Sequence, residues 1–204
     1  MRKQQIEILL SKIEDISEPD ASLEQYSTPA GIAAEILYLA VAMGDIAGKR
    51  VIDLGCGTGT FAIGAALLGA SAVGVDIDER MIQLANKNAS KLGVEVEFRT
   101  ADVKDVSGSY DTVIQNPPFG CQKRHADIPF IEKAMEIGNV LYTIHHAETE
   151  KFIEGKLLNT NWCITHREMY VFPIKHRFKF HTKMEHTQNV VMFRAERLKK
   201  CTKA

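Results

Sequence analysis

The sequence predicts an α/β fold: a mostly parallel, seven-stranded sheet with helices on both faces, finished by an antiparallel C-terminal hairpin. Three observations predict it. From Lys49 onward, short apolar runs of strand length alternate with runs of helical periodicity, the order that builds βαβ units. A glycine-rich stretch stands where the first strand meets the following helix. From Trp162 onward the chain reads as two longer strands with no helix between them, which implies an antiparallel edge.

Taken in order, residues 2–15 read as an amphipathic helix and the polar stretch SEPDASLEQYS after it as a loop. Thr28-Pro29 has the form of a helix start, with Thr28 as N-cap and Pro29 in the first turn of a helix running to about Met43. Arg50–Leu54 (RVIDL) is a buried strand, residues 58–68 a helix and residues 70–75 a strand. Glu79–Leu92 is a helix stopped by Gly93. In the next strand, at the sheet's edge, Val94, Val96 and Phe98 alternate with Glu95, Glu97 and Arg99, so one face packs while the other stays wet. No helix is expected between Arg99 and Tyr110, because ten residues cannot hold one with its turns. Tyr110–Gln115 (YDTVIQ) is a strand entering a Pro-containing loop. Ile128–Ile137 reads as a helix, residues 140–145 as a strand, residues 149–158 as a helix, and the final hairpin turns around residues 181–187.

At 204 residues the chain suits one well-buried domain, residues 1–204, with a 48-residue N-terminal part ahead of the core at 49–204. An apolar fraction of 45% and a charged fraction of 25% argue against disorder and against a membrane protein. No apolar run reaches the ~18–20 residues of a membrane-spanning helix, and the charged N-terminus lacks the apolar stretch of a signal peptide. Cys56, Cys121, Cys163 and Cys201 are scattered and form no CxxC pair, which points to reduced thiols, a cytoplasmic protein and no zinc site. Net charge is −1, but from Thr165 onward there are ten Lys/Arg against three Asp/Glu. Such a basic end is compatible with a nucleic-acid surface and equally with a solvated tail.

The segment VIDLGCGTGT (51–60) sets three glycines two apart at a strand-to-helix turn. Glycine lets backbone approach a ligand there, and the helix N-terminus offers free N–H groups. Asp76 ends the next strand, 21 residues after Gly55, where a carboxylate can hold both ribose hydroxyls. Asp102 ends the third strand. A dinucleotide fingerprint is not met, since Thr60 stands where its last glycine belongs. Asp53, just before the turn, would repel a pyrophosphate but suits a sulfonium-bearing amino acid.

At the end of the fourth strand stands Asn116-Pro117-Pro118-Phe119. An aromatic amine is a poor nucleophile because its lone pair is drawn into the ring. The Asn116 side-chain oxygen and the Pro117 carbonyl can each accept one N–H, favouring a pyramidal nitrogen whose lone pair meets the incoming methyl group. Two prolines stiffen the loop, and Phe119 can stack on a base.

With these motifs the chain resembles the class I N6-adenine methyltransferases, Rossmann-like enzymes, and among them the small-subunit ribosomal RNA N6-adenosine methyltransferase family (methyltransferase-like protein five). The likeness rests on LEQYST (23–28), VIDLGCGTG (51–59), VGVDIDE (73–79), YDTVIQNPPFG (110–120), ADIPFIEKAMEI and LYTIHHAE within 126–148, and KFH (179–181). The resemblance implies S-adenosylmethionine as cofactor and adenosine N6 in RNA as acceptor. Gln25 and Thr28 would belong to a flap over the cofactor's methionine part. Asp53, Gly55, Gly57, Thr58 and Thr60 would form the glycine-loop contacts, Asp76 and Ile77 the ribose and adenine grip, and Asp102 and Val103 the adenine edge. Asn116, Pro117, Pro118 and Phe119 would form the catalytic loop. The resemblance also implies a small zinc-binding activator protein, paired along the edge strand from Val94 to Arg99. Ser27 departs from the family pattern, as does Cys121-Gln122.

The run KHRFKFHTKMEH (175–186) interleaves basic and aromatic residues, with Lys175, Arg177, Lys179 and Lys183 suited to phosphates. His145 and His146 are adjacent on a strand and must point to opposite sides, so they cannot share one metal ion. Trp162 reads as core. Methylation of a protein glutamine amide, methylation of DNA adenine, and a non-catalytic RNA-binding assembly role remain alternatives to RNA methylation.

Overall fold

A computed structural model describes residues 1–17, 20, 26–120, 125–174 and 186–198. Seven strands form one sheet: β1 Arg50–Leu54, β2 Ser71–Asp76, β3 Glu97–Thr100, β4 Tyr110–Gln115, β5 Gly138–His146, β6 Trp162–Ile174 and β7 His186–Arg197. Their order is β3-β2-β1-β4-β5-β7-β6. The first five strands run parallel, and β7 lies antiparallel to both β5 and β6. The chain moves outward from β1 to β3 and returns to β4 on the other side of β1. That reversal opens a crevice at the carboxyl ends of β1 and β4, the usual ligand position in such sheets. The expected architecture is therefore the observed one, a Rossmann-like sheet with a C-terminal antiparallel hairpin.

Side-chain alternation along the strands feeds two cores. Val51, Ile114, Tyr142, Val190 and Met192 pack with α1 (Lys3–Leu10), α2 (Ala30–Ala42) and α3 (Thr60–Leu67). Ile52, Leu54, Val113, Leu141, Val191 and Phe193 pack on the opposite face, with Ile131 and Ala134 of α5 (Ile128–Ile137) and Ile153 and Leu157 of α6 (Glu150–Leu158). In α4 (Glu79–Leu92) the buried positions Met81, Ile82, Ala85, Asn88 and Ala89 follow helical spacing, and Gly93 closes the helix in the left-handed region at φ 69°.

Several boundaries differ from expectation for physical reasons. α3 begins at Thr60 rather than residue 58, because Gly59 holds φ 91°, outside any right-handed helix. Thr28 is not the N-cap of α2: Pro29 holds that position and its carbonyl accepts the first helical bond from Ala33 at 2.9 Å, leaving the Thr28 hydroxyl for another task. α1 stops at Leu10, earlier than residue 15. β3 covers only Glu97–Thr100, so residues 94–96 lie outside the edge strand, although Val94, Val96 and Phe98 are half-buried and Glu95, Glu97 and Arg99 exposed as the alternation requires. Between β3 and β4 there is only a 3-10 turn, Val103–Asp105. The hairpin turn and the run 175–185 lie outside the described residues. Among the described residues no helix is long and apolar enough to cross a membrane.

Candidate active site

The crevice at the β1/β4 reversal is a cleft of about 310 Å³. Thr28, Asp53, Gly55, Gly57, Thr58, Thr60, Asp76, Ile77, Asp102, Val103, Asn116 and Pro118 all line it. Gln25, grouped with them from the sequence, lies outside the described residues. Pro117 is buried but does not line the cleft. Phe119 also stands off it, half-buried, with its ring 6.3 Å from Phe172 and 6.4 Å from His146.

The glycine turn is shaped by its backbone. Gly55, Gly57 and Gly59 have φ of 71°, 51° and 91°, a region costly for residues with a Cβ. Gly55 and Cys56 both donate to the Val75 carbonyl, at 2.8 and 2.9 Å, which fastens the turn to β2. A Cβ on Gly57 would meet no protein atom within 4 Å, so the space beside this backbone is left open. Asp53 is almost fully buried and its Oδ2 accepts from Ala62 N at 3.1 Å, serving α3 as a cap from a neighbouring strand. Burial pushes its carboxyl up to about 7, nearby Asp76 adds to this, and the backbone donors of Ala62 and Phe61 oppose it. Asp76 accepts from Gly57 N at 2.8 Å and Asp78 N at 3.0 Å, and burial raises its carboxyl too. Asp102 spends one oxygen capping the 3-10 turn through Lys104 N at 2.9 Å.

Asn116 closes the other wall. Its Nδ2 donates to Thr28 Oγ1 at 3.1 Å, while its Oδ1 is buried without a hydrogen-bond partner. Buried amide oxygens are rarely left so, and an unpaired acceptor costs ~1–3 kcal/mol. Behind it, Gln115 Nε2 donates to Thr143 Oγ1 at 3.0 Å, and that oxygen lies 2.7 Å from His145 Nε2. His145 Nδ1 sits 3.2 Å from Asp127 Oδ2 without hydrogen-bond alignment. Burial lowers the pKa of His145, with Asp127 opposing, so a neutral imidazole is favoured. His145 is enclosed whereas His146 faces outward on the other side of β5. Among the described residues no group of His, Cys, Asp or Glu is placed to hold a metal ion.

Sequence reasoning missed part of the wall. His125, Pro129 and Phe130 line the cleft from the start of α5, and a Cβ on Gly55 would lie 3.0 Å from the Phe130 ring. His125 holds φ 63°, a conformation uncommon outside glycine. Only long-range packing shows these contacts. Asn88 was legible in principle, as a polar residue on the apolar stripe of α4: fully buried, it donates to Thr58 O at 3.1 Å and to Glu14 O at 3.0 Å.

A Rossmann-like sheet of this order, with an acidic glycine turn on β1 and Asn-Pro-Pro-Phe after β4, defines a methyltransferase. The chain belongs to the methyltransferase domain family, which matches residues 46–188. Over 90% of its length it is 33% identical to the zebrafish (Danio rerio) protein METTL5, named an rRNA N(6)-adenosine-methyltransferase, covering 93% of that protein. It is 41% identical to the protein MJ0284 of Methanocaldococcus jannaschii, over 97% of this chain and 95% of the other. The solved structure of PH1948 from Pyrococcus horikoshii superposes with a TM-score of 0.91 at 39% identity, covering 98% of this chain and 99% of that one. The cleft fits S-adenosylmethionine, the expected cofactor: open space beside Gly57, a buried carboxyl at Asp53 and a half-buried one at Asp76, and apolar walls from Phe61, Met81 and Val103.

Proposed function

We propose that this chain methylates the exocyclic N6 of an adenosine in RNA, in the small-subunit ribosomal RNA. The observation that carries this is the Asn116 amide oxygen, buried beside the cleft with no protein partner. An amine bearing two N–H groups supplies what that oxygen lacks. The zebrafish and Drosophila melanogaster relatives are both named rRNA N(6)-adenosine-methyltransferases, which supports RNA as the substrate class.

When bound, S-adenosylmethionine supplies an electrophilic methyl group. Asn116 Oδ1 and the Pro117 carbonyl accept the two amine hydrogens and turn the nitrogen lone pair toward the cleft. Pro117 and Pro118 hold that carbonyl still, so little reorganisation is needed as charge develops. Phe119 and His146, together at the end of β5, offer a surface against which the base stacks. The proton leaves once the nitrogen is cationic, and no strong base is required. Gln25 and Thr28 cover the cofactor's methionine part, the glycine turn with Asp53, Thr58 and Thr60 holds its polar end, and Asp76, Ile77, Asp102 and Val103 hold its nucleoside.

Lys175, Arg177, Lys179 and Lys183 neutralise phosphates of the bound RNA. A small zinc-binding partner adds a strand along the edge of β3, where Glu97–Thr100 pairs on one side with β2. Cys56 and Cys163 are free thiols, in keeping with a reaction in the cytoplasm.

Mass spectrometry of total RNA from cells with and without the gene tests the reading: one N6-methyladenosine disappears from ribosomal RNA. Unchanged RNA with altered peptide methylation would replace adenosine by a protein amide. In the purified enzyme, Asn116→Ala lowers transfer at least ~100-fold while cofactor affinity stays within about threefold. Turnover within tenfold of the parent would remove the amide from the chemistry.

A further inference from the structure

We infer that Thr28 is a positioning residue for Asn116, so that the N-terminal segment over the cofactor also sets the orientation of the amine acceptor. The two residues lie 88 positions apart and meet at 3.1 Å, Asn116 Nδ2 donating to the Thr28 hydroxyl. Both line the cleft. The role assigned to Asn116 rests on the amine-methylation reading above; the contact itself does not.

An asparagine amide is two-faced. Its terminal torsion is broad, and a half-turn exchanges an acceptor oxygen for an NH₂ donor. If the NH₂ end faced the substrate, it would oppose the N–H groups of an incoming amine. With Nδ2 held by Thr28, the end left without a protein partner is Oδ1, the one the reaction needs. A valine at position 28 would keep the shape and neither accept nor donate.

Thr28 is well mounted for this. It is buried, and it immediately precedes Pro29, the N-cap of a helix whose Ala33, Ala34, Ile36, Leu37 and Ala40 have no solvent exposure. Ser27 donates to Asp15 Oδ1 at 2.7 Å. Next to Asp15, Glu14 is bonded through its backbone to Asn88, which in turn donates to Thr58 O in the glycine turn. Glu14, Asp15 and Ser27 are therefore fastened to the cofactor side, while Thr28 reaches across to the catalytic loop. Ser27, the departure from the family pattern, supplies one of these fastenings.

The experiment compares the full-length parent with Thr28→Val and Thr28→Ser. The side-chain ¹⁵N–¹H₂ signal of Asn116, assigned by its loss in Asn116→Ala, reads the contact directly. Its solvent exchange rises about tenfold or more in Thr28→Val and stays near the parent rate in Thr28→Ser, since only serine keeps the hydroxyl. Single-turnover transfer at saturating S-adenosylmethionine falls about tenfold or more in Thr28→Val and is restored to within about threefold by Thr28→Ser. Saturation removes any effect through cofactor affinity alone. Amide exchange unchanged in Thr28→Val overturns the inference, as does a parental single-turnover rate in that variant. Should the parent itself methylate no adenosine, the function proposed above fails, while the amide signal still decides whether Thr28 holds Asn116.

Discussion

Asp53 carries the least comfortable charge in the cleft. Its carboxyl ordinarily titrates at 3.8 and in the folded chain at about 7, chiefly through burial. A raised folded pKa means that the folded state holds the proton more tightly than the unfolded chain does. The stability tied to this group is therefore full below about pH 4 and lost as pH rises through about 7. Asp53→Asn, which keeps an acceptor for Ala62 N, is expected to stabilise the cofactor-free protein at about pH 8 by on the order of 3–4 kcal/mol, fading toward zero near pH 4. Thermal melts across that range check it, and an equal gain at both ends would refute the titration. Asp76 contributes differently, because its oxygens already accept from Gly57 and Asp78. Asp76→Ala weakens S-adenosylmethionine binding by roughly 1.5–3 kcal/mol, because it removes hydrogen bonds to a charged acceptor. Calorimetry showing parental affinity would reassign the ribose grip.

At the scale of elements, β3 reaches the cofactor turn through one ring. A Cβ on Gly74 of β2 would sit 2.6 Å from Phe98, and one on Gly59 would sit 3.0 Å from the same ring. Gly74→Ala is expected to cost about 1–3 kcal/mol by overpacking, and Phe98→Leu in the same chain recovers part of that. Denaturant titrations of the two single variants and the pair measure the coupling; strict additivity would mean that the ring and the glycine do not meet. Local pattern made most elements legible. RVIDL, YDTVIQ, Glu79–Leu92 and Ile128–Ile137 were readable to the residue because apolar spacing and stop signals agree there. The glycine turn and Asn116 were legible as residues set on strand ends, where the structure brings them to one cleft. What stayed hidden depends on contacts far apart in the chain: Phe130 against Gly55, Asn88 bridging to Glu14, and Thr28 taken from a capping role to hold Asn116. The start of α2 misled for the same reason, since a Thr-Pro pair reads alike whether the threonine caps the helix or stands one residue ahead of it.

Across the whole molecule, charge is unevenly shared: from Thr165 onward the chain holds ten Lys/Arg against three Asp/Glu, while the sum over all residues is −1. If the run from Lys175 to Lys183 meets RNA phosphates, neutralising Lys175, Arg177, Lys179 and Lys183 together flattens the dependence of log affinity on log salt. The slope falls by about 0.7 for each single-strand phosphate that no longer has a cation beside it. Filter-binding across a salt series reads that slope, and an unchanged slope would leave the run as a solvated edge.

The place of β7 between β5 and β6 has a consequence for how the protein is made. Synthesis proceeds from the N-terminus, so β6 leaves the ribosome before the strand that must lie between it and the rest of the sheet. Until His186–Arg197 has emerged, β6 has no edge to join and β5 shows an open one. Arg197, near the end of that insertion, then donates to the carbonyls of Met135, Glu136 and Gly138, sealing the junction where α5 passes into β5. The helix that begins at the cleft wall is thus locked at its far end by a late-arriving residue. A nascent chain stalled within β6 would carry every described residue that lines the cleft, yet lack the outer third of its sheet and the clasp on α5.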